Sequence, residues 1–105
     1  MSSRQILHVE FVTSDPKVSG NFCRELFNWH LHFEEQYNYL MFGVEQGPSG
    51  AFPAPSEGFK AGDVCVYVSS PDIDADLAKA TALGGSVLMP KMEIPGTGWI
   101  AILAD

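Results

Sequence analysis

The chain has 105 residues, 46% of them hydrophobic, and a formal net charge of −7 from 13 acidic and 6 basic side chains. A chain of this length builds one modest core, and its acidity, with Arg4, Lys17, Arg24, Lys60, Lys79 and Lys91 scattered, excludes tracking of a phosphate backbone, so no nucleic-acid partner is expected. No apolar run approaches the roughly 20 residues that span a bilayer, and the opening Met-Ser-Ser-Arg-Gln lacks a signal core, so no membrane partner and a cytoplasmic location are expected.

Leu7 to Val12 reads as a strand with Leu7, Val9 and Phe11 on one face and His8 and Glu10 on the other. Asp15 is an N-cap followed by Pro16 at the first helical position, and Val18, Phe22, Leu26 and Phe27 are expected to form the buried stripe of a helix ending near Asn28. Trp29 to Phe33 and Tyr39 to Val44 read as two strands of a hairpin turning around Gln36 to Asn38. From Glu45 to Gly62 glycine and proline dominate, leaving loop and one short strand within Gly50 to Ala54.

Val64 to Val68 is the next strand, with Val64, Val66 and Val68 expected toward the core and Cys65, Tyr67 and Ser69 on the other face. Asp72 caps a second helix, Asp74 and Asp76 suit its positive end as capping and solvated groups rather than metal ligands, and Gly84-Gly85 stops it. Strands are expected at Ser86 to Met89 and Trp99 to Leu103. Cys23 and Cys65 have no metal-type pair spacing and are expected to be reduced and packed.

The order of elements is one pattern written twice. Aligned on Asp15 and Asp72, His8 corresponds to Cys65, and the segment Gly50 to Ala54 has no counterpart before Asp105. The expected architecture is α+β: two β-α-β-β(-β) modules, about residues 4–56 and 62–105, in a single domain 1–105. Helices lie outside, the polar strand rows face a common open cup, and the last strand of the second module is absent.

The run Ile6-Leu7-His8-Val9-Glu10-Phe11, then Asp15-Pro16 with Phe22-Cys23-Arg24-Glu25-Leu26-Phe27-Asn28-Trp29, resembles the vicinal oxygen chelate superfamily. That superfamily includes glyoxalase I, bleomycin-resistance proteins and extradiol dioxygenases. Val66-Tyr67-Val68, Asp72-Ile73-Asp74, Ala82-Leu83-Gly84-Gly85, Pro90-Lys91, Ile94-Pro95-Gly96 and Gly98-Trp99-Ile100-Ala101 extend the resemblance over nearly the whole chain. It implies a small-molecule site between two modules and, in metal-dependent members, a divalent ion that chelates neighbouring substrate oxygens. On this chain the implied ligand positions are His8 and Cys65, a thiol flanked by valines, while Ala51-Phe52-Pro53 offers no ligand.

Glu10 shares a strand face with His8, as base and partner or as a second ligand. Tyr39, Tyr67, Trp99 and Phe52 are candidates to line a site for a flat or apolar small organic molecule, while His30 and His32 fall on an outer edge strand. No nucleophile with its base is present as a motif. Two functions follow from this set. One is a small-molecule-binding protein of the glyoxalase and bleomycin-resistance type with no cofactor and an incomplete metal site. The other is a lyase, isomerase or dioxygenase using zinc, nickel, manganese or iron, with its site completed by a partner chain. An uncovered strand edge in the second module makes a homodimer the expected assembly.

Overall fold

The computed structural model describes residues 3–105 and divides into two compact units that meet between Ser69 and Ser70. In chain order the first contains β1 (Ile6–Phe11), α1 (Pro16–Phe27), β2 (His30–Glu34), β3 (Tyr39–Gly43), β4 (Ser49–Ala51) and β5 (Val64–Val68). The second contains α2 (Ile73–Ala82), β6 (Ser86–Ile94) and β7 (Gly98–Ala104). The architecture is α+β, as expected.

In the first unit five strands form one sheet in the order β2-β3-β4-β1-β5. β4 runs parallel to β1 and antiparallel to β3, and β5 runs antiparallel to β1. The first strand of the second repeat joins the sheet of the first, and β6 and β7 pair separately. In the first repeat β4 links β1 to the β2–β3 hairpin. Among the described residues no strand of the second repeat plays that part, and β5 pairs with β1 alone.

Asp15 Oδ1 accepts the Val18 N–H at 3.3 Å at the start of α1, and the helix stops at Asn28, whose φ of 60° turns the chain while its N–H bonds Arg24 O. The core of this unit is aromatic: Phe42 and Phe52 are 5% and 2% exposed, and the Phe42 ring stacks on Phe11 and Trp29.

Two apolar rows expected to be buried are not. Val18, Phe22, Leu26 and Phe27 are 65%, 62%, 60% and 53% exposed. The reason is the close approach at Gly20, where a Cβ would stand 2.7 Å from Leu40 Cδ2 and 3.4 Å from Leu31 Cδ1. At 3.6 residues per turn Gly20 lies about 160° around the helix from the centre of the Val18, Phe22 and Leu26 stripe, so seating the helix through Gly20 turns that stripe outward. Val64, Val66 and Val68 are likewise 56%, 47% and 54% exposed. Helix α1 packs on β2 and β3, at the opposite edge of the sheet from β5.

In the second unit Asp72 Oδ1 accepts the Ala75 N–H at 3.1 Å, and Asp74 and Asp76 occupy the first turn of α2. Asp74 also meets Lys91 Nζ at 3.1 Å, so these aspartates act as cap and ion-pair partners. Gly85 ends the connection against β7: a Cβ there would stand 2.6 Å from the Ala104 carbonyl oxygen. β6 runs to Ile94, five residues past the expected end, because Pro90 falls within the register shift between Met89 and Met92, where an irregular ladder tolerates a missing donor. No helix among the described residues is long and apolar enough to cross a membrane.

Candidate functional site

The register of the five-stranded sheet gathers the polar row of β1 with its neighbours. His8 stands opposite Ser49 on β4 and Tyr67 on β5, while Glu10 stands opposite Ala51 and Cys65. Ala51 pairs in turn with Met41 on β3, which puts Tyr39, two residues earlier, on the same face. β1 and β3 are separated by two strand spacings, roughly 10 Å. Side chains can meet across that distance only where the intervening strand is low, and Ser49-Gly50-Ala51 supplies the smallest floor available. Gly50 is obligatory for a second reason. A Cβ at that position would collide with the Val9 carbonyl oxygen and the Phe42 ring.

Over this floor the side chains form one hydrogen-bond network. Tyr39 donates to Glu10 Oε2, and Tyr67 donates to Glu10 Oε1 at 2.9 Å. His8 Nε2 lies 2.8 Å from the Tyr39 oxygen, and His8 Nδ1 lies 3.2 Å from Ser49 Oγ. The direction of every bond follows from counting protons. Tyr39 has one hydroxyl proton and gives it to the carboxylate, so the bond to His8 requires an Nε2–H donor, and a neutral ring then accepts from Ser49 at Nδ1. The His8 ring is 6.2 Å from Tyr39, nearly parallel, and 5.7 Å from Tyr67, edge to face, so three rings surround the carboxylate.

Burial lowers the His8 pKa against the opposing pull of the negative Glu10, which favours the neutral ring that the network needs. Burial, reinforced by the charge and hydrogen bond of Glu10, pushes the Tyr39 and Tyr67 hydroxyls far above their ordinary value. The Cys65 thiol is also raised, first by burial and then by Glu10, against a hydrogen bond with Tyr67 that lowers it. All four side chains are half-buried, so the network has an open side.

The divalent ion implied by the resemblance does not fit this donor set. One nitrogen of His8 carries a proton and the other is capped by Ser49, and Cys65 is held toward the thiol, whereas a metal binds the thiolate, so Glu10 alone keeps free acceptor sites. Among the described residues no group of three or more His, Cys, Asp or Glu is assembled.

Phe52 follows Ala51 and so falls on the opposite face, 5.3 Å from the Phe42 ring and 6.1 Å from Phe11, as core rather than as a wall of the polar site. Trp99 belongs to the second unit, with Lys91 Nζ 5.0 Å above its ring. His30 and His32 are on the edge strand β2 and exposed, in keeping with the sequence reading. An open apolar groove of about 440 Å³ lies between α1 and the sheet, lined by Phe11, Val18, Phe22, Cys23, Trp29 and Phe52 among others. Sequence reasoning did not name Ser49. The signal was its distance of two residues from Ala51 in a small-residue strand, which the expected strand boundaries had shifted toward Ala54.

No protein-family model and no curated protein sequence matches the chain. Solved structures do. A variant of Streptomyces coelicolor methylmalonyl-CoA epimerase in complex with 2-nitronate-propionyl-CoA matches at a TM-score of 0.64 and 20% identity, covering 97% of this chain and 88% of that one. A methylmalonyl-CoA epimerase in complex with methylmalonyl-CoA and NH4+ matches at 0.64 and 20%, covering 97% and 85%. The chain therefore has the fold of these enzymes.

Proposed function

We propose that the protein binds a small organic molecule on the polar face of its five-stranded sheet, in the manner of the glyoxalase and bleomycin-resistance type, without a complete metal shell. The observation that carries this reading is the closed network of Ser49, His8, Tyr39, Glu10 and Tyr67, which is half-exposed and already commits both nitrogens of the one histidine it contains. Tyr39 and Tyr67 supply aromatic surface beside a polar anchor, the combination that holds a small ligand in one orientation. The fold shared with enzymes bound to acyl-CoA ligands supports a site for a small molecule.

The test pairs a thermal-shift screen of small aromatic compounds with metal analysis of the purified protein. Stabilisation by at least one compound, lost in Tyr67→Ala, is the expected result. Stoichiometric zinc, nickel, manganese or iron that survives dialysis would overturn the metal-free reading in favour of the lyase, isomerase or dioxygenase alternative.

The same reading takes the protein as a homodimer. Its support is the exposed stripe of Val18, Phe22 and Leu26 and the exposed row of Val64, Val66 and Val68, apolar surface that association would cover. Light scattering on the eluted protein tests it, and a strictly monomeric mass removes this part. A cytoplasmic setting belongs to the proposal too, since both cysteines are free thiols.

A further inference from the structure

The proton count that fixes the His8 tautomer also fixes what the polar face offers a ligand. Each mobile proton of the network is spent internally and in one direction: Ser49 to His8, His8 to Tyr39, Tyr39 to Glu10, and Tyr67 to Glu10, with the Cys65 thiol bonded in turn to the Tyr67 oxygen. What remains is acceptor capacity. A carboxylate has about four lone-pair sites, and the two phenols use two of them. A ligand that itself needs donors, such as a carboxylate, a phosphate or an enolate oxygen, finds none here without breaking the network. One that brings donors completes it.

Charge points the same way. Glu10 is the group whose negative charge acts on His8, Tyr39, Tyr67 and Cys65 alike. Of the basic residues in the first unit, Arg24 is paired with Glu25 and Lys60 with Asp63. The chain as a whole is at −7, which concentrates cations at its surface and repels polyanions. Tyr39 and Tyr67, which reach the carboxylate through their hydroxyls, add aromatic surface beside it, and a cation is attracted to the face of such rings.

We propose that the ligand is a small organic cation, a primary ammonium on an apolar or aromatic frame, with Glu10 as its counter-ion between the rings of Tyr39, Tyr67 and His8. This rests on the reading of the polar face as the small-molecule site and adds the chemical class of its occupant.

The probes are benzylammonium, benzyl alcohol and benzoate, one frame with three head groups. Binding is read by calorimetry and by amide NMR shifts at residues 8, 10, 39 and 67. Benzylammonium is expected to bind at these residues about tenfold or more tightly than benzyl alcohol, a difference of the size a charge-assisted hydrogen bond produces. Benzoate is expected not to bind there, and Glu10→Gln, with its fold checked by its amide spectrum, is expected to lose the preference for the cation. Should that variant fail to fold, the wild-type comparison still decides, together with a benzylammonium affinity that falls as salt is added. Benzyl alcohol or benzoate shifting the same amides as tightly as benzylammonium overturns the cation assignment and leaves the small-molecule site standing. No shift with any of the three overturns both.

Discussion

His8 Nε2 lies 2.8 Å from the Tyr39 hydroxyl, and the two side chains meet above β4, a strand that belongs to neither of them. The contact exists because β4 is built of Ser49, Gly50 and Ala51, which rise too little above the sheet to keep β1 and β3 side chains apart. The site therefore depends as much on what β4 lacks as on what its neighbours carry.

Removing the Tyr39 hydroxyl should break two bonds at once, leaving His8 Nε2–H without its acceptor and Glu10 with one donor fewer. Tyr39→Phe is expected to cost about 1–2 kcal/mol, the range for stranding half-buried polar groups. Urea midpoints at constant m-value would read it. Combined with Glu10→Gln, the loss should fall short of the sum of the single losses, since both variants cut the same bond. Strict additivity would mean the network is not formed in solution.

His8 gives the stability a sign with respect to pH. Its pKa in the folded protein lies below the ordinary 6.5, chiefly through burial. The unfolded chain therefore takes up the proton first as pH falls, and stability decreases from about pH 6.5 downward through the folded value, with no contribution above it. Melting temperatures of wild type and His8→Gln should diverge in slope over this window and run parallel above it. Parallel curves throughout would show that His8 titrates as an exposed imidazole.

Gly50 makes the sharpest packing prediction. Gly50→Ala places a methyl against the Val9 carbonyl oxygen, which cannot move without unzipping β1 from β4, and is expected to cost about 3 kcal/mol or more. Gly43→Ala is its control: nothing lies within 4 Å of a Cβ there, and a loss under about 1 kcal/mol is expected. Similar losses at the two positions would show that β4 does not run where the register places it.

The elements were legible because their signals are local. Asp15-Pro16, Asp72 and Gly84-Gly85 set the helix ends, and the alternation of β1 assigned His8 and Glu10 to the face where they are found. Burial was not legible. Val18, Phe22 and Leu26 have helical apolar spacing, yet the seat of α1 is decided by how closely Gly20 approaches Leu31 and Leu40, a property of three chain segments together. Glu10, Tyr39 and Tyr67 could each be named from the sequence, but their convergence depends on Tyr39 crossing β4, and a strand expected within Gly50 to Ala54, where β4 is Ser49–Ala51, left Ser49 outside it.

The two phenols at Glu10 should announce themselves spectroscopically. Both pKa values are raised, first by desolvation and then by the adjacent carboxylate, so the folded protein should keep Tyr39 and Tyr67 protonated well past the ordinary value of 10.0. In a Tyr37→Phe background, which leaves only these two tyrosines, phenolate absorbance should not develop near pH 10 while the fold persists, and should appear for both once denaturant is added. The linked consequence has a definite direction. The unfolded chain loses its phenol protons first as pH rises, so stability falls above about pH 10, and restoring neutral pH regains it. A native phenolate step at the ordinary position would mean that neither hydroxyl is held against Glu10, and the donor-spent network would be lost with it.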